Sequence, residues 1–134
     1  MLFRSETRAG LSLTSMGLKG SLGNLPKARL SIWVDTDGQV KISAIDAFDT
    51  QVLAETATGA SVAAGARVRL GIERLDAVSG RFAFSVDGRR VGPEVECRTL
   101  RTFAGPLYLG VWAESAPGRQ TEAMVRLVRV VQAP

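Results

Sequence analysis

The segment RLSIWVDTDGQVKISA, residues 29–44, alternates apolar and polar side chains on either side of a short turn. Successive side chains of an extended strand point to opposite faces, so this period of two predicts strands with one apolar face. The sequence DTDG at 35–38 is typical of the turn between them, because Gly38 can adopt a positive φ at little cost. The segment therefore predicts a β-hairpin whose buried face carries six apolar residues: Leu30, Ile32, Val34, Val40, Ile42 and Ala44.

The same alternation recurs along the rest of the chain. A second hairpin is predicted where the alternating residues of 68–72 and 82–86 flank the connector 76–80. Further strands are predicted at 11–13, 51–55, 107–111 and 123–131, the last nearly continuous in apolar residues, as in strands covered on both faces. No window of 11 or more residues has a convincing period of 3.6, which argues against a long helix. Seven or eight short strands predict an all-β fold, a two-sheet antiparallel sandwich or jelly roll, with residues 1–134 as a single domain.

The composition excludes several classes of protein. The chain has 134 residues, 46% of them apolar, which is enough for one folded domain and too apolar for a disordered chain. No uncharged stretch approaches the roughly 20 apolar residues of a membrane-spanning helix, so we expect no membrane partner. The first residues, MLFRSE, lack the apolar core of a signal peptide, so from the sequence as given we expect a cytoplasmic chain or a piece of a longer protein.

The rare residue types limit the chemistry further. The sequence has no His and one Cys, Cys97, which removes Ser-His-Asp and Cys-His catalysis and any zinc site built on nitrogen and sulfur ligands. The net charge of +4 comes from arginines that alternate with apolar residues, as in outward positions of strands, and not from a basic run. We therefore expect no nucleic-acid partner, no cofactor and no enzymatic activity.

Six segments, in their order along the chain, resemble the concanavalin A-like lectin/glucanase domains of the laminin-G-like kind. They are AGL at 9–11, DGQV at 37–40, VRLGIER at 68–74, GRFAFSVDG at 80–88, GPLYLGVWA at 105–113 and AMVRLVRV at 123–130. In that family such segments are successive strands of a jelly roll, so the resemblance implies that fold here. Members usually carry strands ahead of the AGL segment, and only eight residues precede Ala9. The resemblance therefore implies that those N-terminal strands are lacking, and that the chain either forms a homo-oligomer, such as a dimer, or is cut from a larger domain.

The family's catalytic residues do not carry over residue by residue. The glucanase branch has a closely spaced Glu/Asp/Glu set on one strand, and the nearest sequences here are ERLD at 73–76 and EVE at 94–96. Glu94 and Glu96 would project to the same side of a strand, as a pair of glycosidase carboxylates does. A glycoside hydrolase-like remnant is therefore the least favoured alternative.

The family's metal site does not carry over either. The legume-lectin branch uses Asp, Asn, Glu and His, whereas this chain has no His and one Asn, Asn24. Four aspartates could supply oxygen ligands to Ca²⁺: Asp35, Asp37, Asp46 and Asp49. Turn formation is the simpler role for the first two of them, and we expect no metal site.

Three aromatic residues are the candidate binding residues. Trp33 has the parity opposite to its aliphatic neighbours, and so have Tyr108 and Trp112 in their own strand. If the aliphatic rows face the core, these three rings face outward, where flat rings stack on sugars or build protein interfaces.

The favoured hypothesis is a non-catalytic binding or assembly module whose partner is a glycan or another protein. Trp33, Tyr108 and Trp112 would supply contact area in such a module. Polar orientation of the ligand would come from three charged residues: Arg67, Arg69 and Glu73. The alternative is a structural, oligomerising subunit with no small ligand, in which the same rings lie across a subunit boundary.

Overall fold

The computed structural model describes residues 7–15, 28–46, 50–76, 78–100 and 107–115, which contain eight β-strands and one 3-10 turn. The strands are β1 (Thr7–Thr14), β2 (Arg29–Val34), β3 (Gln39–Asp46), β4 (Thr50–Ser61), β5 (Leu70–Asp76), β6 (Arg81–Val86), β7 (Arg89–Glu96) and β8 (Tyr108–Ser115), and the turn covers Arg98–Leu100. Five strands form an antiparallel sheet in the order β4-β3-β2-β1-β8, and three form a second in the order β5-β6-β7. This arrangement confirms the predicted all-β, two-sheet antiparallel fold.

The hairpin of β2 and β3 forms where the sequence predicts it. Gly38 has a φ of 83° and donates its backbone N–H to the carbonyl of Asp35 at 2.9 Å. The Asp35 and Asp37 carboxylates accept hydrogen bonds from the backbone N–H groups of Thr36 and Gln39, at 2.8 and 3.0 Å. Both aspartates therefore stabilise the turn, as their position in the sequence indicates.

The core lies between the two sheets, on the side that the alternation predicts. The six apolar residues of β2 and β3 that the alternation assigns to the buried face are fully covered, and Phe82 and Phe84 of β6 face them with 1% and 0% of their surface exposed. Each buried Val, Leu, Ile or Phe side chain stabilises the fold by about 1.5–3 kcal/mol relative to leaving it in water. The position of the core fixes the opposite face of the five-stranded sheet as the outer face of the sandwich.

One side of the sandwich is closed by contacts between β3 or β4 and β7. A β-carbon at Gly92, which has a φ of 69°, would overlap the side chain of Ile42, so the strands approach closely here. Asp46, at the end of β3, accepts hydrogen bonds from the backbone N–H groups of Arg98 and Thr99 at 3.1 and 3.2 Å. Its carboxylate thereby caps the 3-10 turn and ties the two sheets together.

The remaining strand predictions have mixed outcomes. The short strands predicted at 11–13 and 51–55 belong to β1 and to the longer β4, whereas β7 is not among the predicted strands. The predicted strand at 123–131 lies outside the described residues. Within the described ranges, no helix is long and apolar enough to cross a membrane.

Replacing Asp46 with alanine tests the link between the sheets. We expect Asp46→Ala to lower the free energy of unfolding by about 0.5–2 kcal/mol, because two backbone N–H groups lose their acceptor. Urea unfolding followed by circular dichroism measures the change. Asp37→Ala is the matched control, since Asp37 accepts one hydrogen bond within an exposed turn. An Asp46→Ala variant no less stable than this control would contradict the proposed role of the carboxylate.

Candidate functional site

The outer face of the five-stranded sheet carries two tryptophans that approach each other across a glycine. Gly10 of β1 pairs in register with Trp33 of β2 on one side and with Trp112 of β8 on the other. The two indole centroids are 6.3 Å apart, and the ring planes are tilted by 47°. A β-carbon at Gly10 would overlap the backbone of Ile32 and the side chain of Trp33. We call Trp112, Gly10 and Trp33 the aromatic row; it forms only because the middle position has no side chain.

A row of small residues lies next to the aromatic row. Its members, which we call the serine row, pair in register across four strands: Gly110, Ser12, Ser31 and Ser43. The hydroxyl oxygens of Ser12 and Ser31 are 2.8 Å apart, and the Trp112 Nε1–H donates a hydrogen bond to the Ser12 hydroxyl at 3.0 Å. These bonds fix the orientation of the Trp112 ring and leave hydroxyl groups along the floor of an open groove.

The third row completes the groove. Tyr108, Thr14 and Arg29 pair in register beyond the serine row, and we call them the arginine row. Because two residues along a strand advance by about 7 Å, the aromatic and arginine rows are about 14 Å apart, with the serine row between them. The groove has a volume of about 670 Å³, within the usual range for small-ligand sites.

A cluster of charges closes the groove beyond the aromatic row. The Arg8 guanidinium lies 3.1 Å from the Asp35 carboxylate and 2.9 Å from that of Glu114, and its central carbon lies 5.7 Å from the Trp33 ring centroid. Lys41 donates to Asp35 at 2.6 Å. Burial alone would raise the pKa of Asp35. The hydrogen bonds from Lys41 and Thr36 and the charges of Arg8 and Lys41 outweigh it, so the pKa lies below its usual value.

The three predicted aromatic residues all line the groove, but they are not equally exposed. Tyr108 is 46% exposed and Trp112 is half-buried, whereas Trp33 is only 3% exposed. Trp33 points to the outer face as predicted, yet the expected exposed ring is instead covered by its neighbours Arg8 and Trp112. Its Nε1–H finds no acceptor among the described atoms. A ligand in the groove would therefore meet Trp112 and Tyr108 first, with Trp33 supporting Trp112 from behind.

The three predicted polar residues lie on β5 or just before it, and β5 belongs to the three-stranded sheet. Glu73 is on β5 and pairs with Arg90 at 3.4 Å. Arg67 and Arg69 precede β5, and the backbone N–H of Arg69 donates to the Asp87 carboxylate at 2.8 Å. None of the three is among the residues that line the groove. The prediction that they orient a ligand beside the aromatic rings does not fit this placement, since the sequence does not specify which sheet a strand joins.

The polar residues that do line the groove are different ones, and the sequence analysis did not identify them as binding residues. Arg29 and Ser31 share the parity of Trp33 within one strand, so the alternation that exposed the tryptophan could have identified them. Arg8 and Ser12 come from β1, and no local pattern indicates that β1 lies between β2 and β8.

The acidic residues considered above for catalysis or calcium binding interact with other groups of the protein. Glu94 and Glu96 share the outer face of β7, as predicted, and each has an arginine neighbour: Arg90 lies 3.5 Å from Glu94, and Arg98 lies 3.5 Å from Glu96. Of the proposed calcium ligands, Asp35 is held by cations and Asp46 by backbone N–H groups, while Asp49 lies outside the described residues. The part of the chain that the structure describes holds no cluster of three or more potential metal ligands.

Adding one methyl group at Gly10 tests the packing of the aromatic row. We expect Gly10→Ala to lower the free energy of unfolding by about 1–3 kcal/mol, because the added carbon forces Trp33 or the backbone to move. Near-ultraviolet circular dichroism should change as well, since the two indoles would separate. Gly110→Ala is the matched control, because a β-carbon at Gly110 has nothing within 4 Å. Equal effects of the two substitutions would contradict the close approach.

The lowered pKa of Asp35 makes stability depend on pH. A carboxylate whose pKa is lower in the folded state than in the unfolded state stabilises the fold at higher pH. That contribution is lost as the pH falls through the folded-state pKa. We therefore expect the stability difference between the wild type and Asp35→Asn to be largest near pH 6. It should shrink below about pH 4, where an aspartate of the unfolded chain begins to bind a proton. Urea midpoints measured between pH 2 and 6 test this, and a difference independent of pH would contradict it.

Comparisons of the chain with protein-family models, with curated proteins and with solved structures find no match. The resemblance to concanavalin A-like domains therefore stays a prediction from the sequence.

Proposed function

We propose that the chain is a non-catalytic binding module that holds a carbohydrate in the groove of the five-stranded sheet. The observation that carries the proposal is the aromatic row beside the serine row: an indole platform next to a line of hydroxyl groups. Sugars combine an apolar C–H face with a rim of hydroxyl groups, so they are complementary to this pair of rows.

The chemistry of each row supports this choice of ligand. The half-buried Trp112 ring offers a flat apolar surface for the C–H face of a sugar ring. Serine hydroxyls both donate and accept hydrogen bonds, which matches the hydroxyl groups of a sugar better than a row of charges does. The hydrogen bond from Trp112 to Ser12 and the contact with Trp33 hold the ring in place before a ligand arrives, which reduces the entropy lost on binding.

The carboxylates of the groove favour binding over hydrolysis. Glu55 and Glu114 both line the groove, and the Arg8 guanidinium lies 3.9 Å from the first and 2.9 Å from the second. A glycosidase needs one carboxyl group as acid and another as base or nucleophile on either side of the scissile bond. Glu55 and Glu114 instead lie on the same guanidinium, as carboxylates of a structural ion-pair cluster do. This arrangement does not leave them on opposite sides of a bound sugar.

A specific observation favours assembly as the second candidate function. β8 is the edge of the five-stranded sheet among the described strands, and it exposes Tyr108, Leu109 and Val111 by 46%, 38% and 40%. An edge strand with apolar side chains can pair with a strand of another chain. In this alternative the chain is a structural subunit of a homo-oligomer, and its contact surface includes β8.

Glycan-array screening of the wild type and Trp112→Ala tests the carbohydrate proposal. We expect the wild type to bind a defined set of oligosaccharides and Trp112→Ala to bind them at least about 10-fold more weakly, which corresponds to about 1.4 kcal/mol of lost stacking. Val78→Ala is the control, because Val78 is also apolar and exposed but lies in the turn between β5 and β6. We expect it to bind like the wild type.

Light scattering on these variants and on Val111→Ser separates the two candidates. If no glycan binds the wild type, and if Val111→Ser converts an oligomer to a monomer, the carbohydrate proposal is wrong and assembly is supported. Glycan binding that Trp112→Ala abolishes without a change in mass excludes a purely structural role.

A further inference from the structure

Arg29 differs from the cations of the charge cluster in that it has no carboxylate partner among the described residues. Arg8 and Lys41 are both held in ion pairs with Asp35. Arg29 is exposed and lines the groove, and no carboxylate of the described residues lies within ion-pair distance of its guanidinium. It therefore leaves a positive charge directed to solvent at the groove.

The position of Arg29 gives the groove two electrically different ends. Arg29 begins β2 and Asp35 follows its last residue, so six residues, or about 20 Å of extended chain, separate them. We call the cluster of Asp35, Glu55 and Glu114 with Arg8 and Lys41 the acidic end, since it has three carboxylates and two cations. The arginine row forms the basic end.

We infer that Arg29 makes the groove selective for an oligosaccharide that carries a single acidic group, bound with this group at the arginine row. This inference rests on the proposed carbohydrate-binding function and adds the charge and the direction of the ligand. The guanidinium has a planar set of N–H donors that matches a carboxylate or a sulfate. The neutral sugar rings of such a ligand would then extend over the serine row toward Trp112.

The acidic end argues against a ligand that is negatively charged along its whole length. Its excess of carboxylates would repel a second anionic group near the aromatic row, because like charges brought together at an interface disfavour binding. For a polyanion, repulsion at the acidic end would therefore offset the attraction to Arg29 at the basic end. The arrangement favours one acidic sugar followed by neutral ones.

Binding to two matched series of oligosaccharides, measured by isothermal titration calorimetry, tests the inference. The first series is lactose, 3′-sialyllactose and 3′-sulfolactose; the second is xylotriose with and without a glucuronic acid substituent. A heparin hexasaccharide serves as the polyanion. In at least one series we expect the singly acidic form to bind about 10-fold more tightly than the neutral form and more tightly than the hexasaccharide. The sialyl and sulfo forms then show whether carboxylate or sulfate is preferred.

Three arginine variants locate the selectivity. We expect Arg29→Gln to bind the acidic and neutral forms equally, with affinity for the neutral form unchanged, and Arg29→Lys to keep part of the preference. Arg89→Gln is the matched control, because Arg89 is an exposed arginine of β7 outside the groove, and we expect it to behave like the wild type. Circular dichroism of each variant checks that it is folded.

Four outcomes would overturn the inference. If the wild type binds neutral and acidic forms equally, or if Arg89→Gln loses the preference as Arg29→Gln does, the selectivity is wrong and the carbohydrate-binding function stands. If folded Arg29→Gln also loses the neutral form, Arg29 positions the ligand by other means than charge. If no oligosaccharide of these series or of the array binds, the proposed function and the inference are both wrong.

Discussion

The close approach of two indole rings over Gly10 is the constraint on which the outer face depends. With no side chain at the middle position, Trp33 and Trp112 reach a centroid distance of 6.3 Å across a strand that would otherwise separate them. Trp33 is then covered although it lies outside the core, and Trp112 is left half-buried with its N–H held by Ser12. The groove is the space that this packing leaves over the serine row.

The five-stranded sheet is therefore stabilised from both faces, by different means. Its inner face is aliphatic and packs on the phenylalanines of the other sheet, as alternation requires. Its outer face uses aromatic contacts and ion pairs, and Asp35 connects these to the turn of the first hairpin. The same carboxylate accepts the Thr36 N–H inside the turn and binds Lys41 and Arg8 outside it. The hairpin that decides the fold thus also holds one end of the groove.

The sequence predicted the parts of the site that lie within a single strand or hairpin. The outward direction of Trp33, Tyr108 and Trp112 followed from parity alone, and the structure places all three at the groove. Parity could not predict that Trp33 would be covered, because the covering groups come from β1 and β8. It also could not place Glu73, whose strand has the same alternation as the others but belongs to the opposite sheet.

The sequence by itself determined most of the described strands, though not β7, together with their apolar faces and the first turn, because alternation and turn chemistry act between residues a few positions apart. Only the tertiary structure decided which strands are neighbours. Ser12 and Trp112 are 100 positions apart in the chain, yet a hydrogen bond joins them on the same face of the sheet. Such contacts depend on strand order, which the packing of the whole core selects. For this reason the three aromatic residues of the groove were visible in the sequence, whereas its polar residues and the groove itself were not.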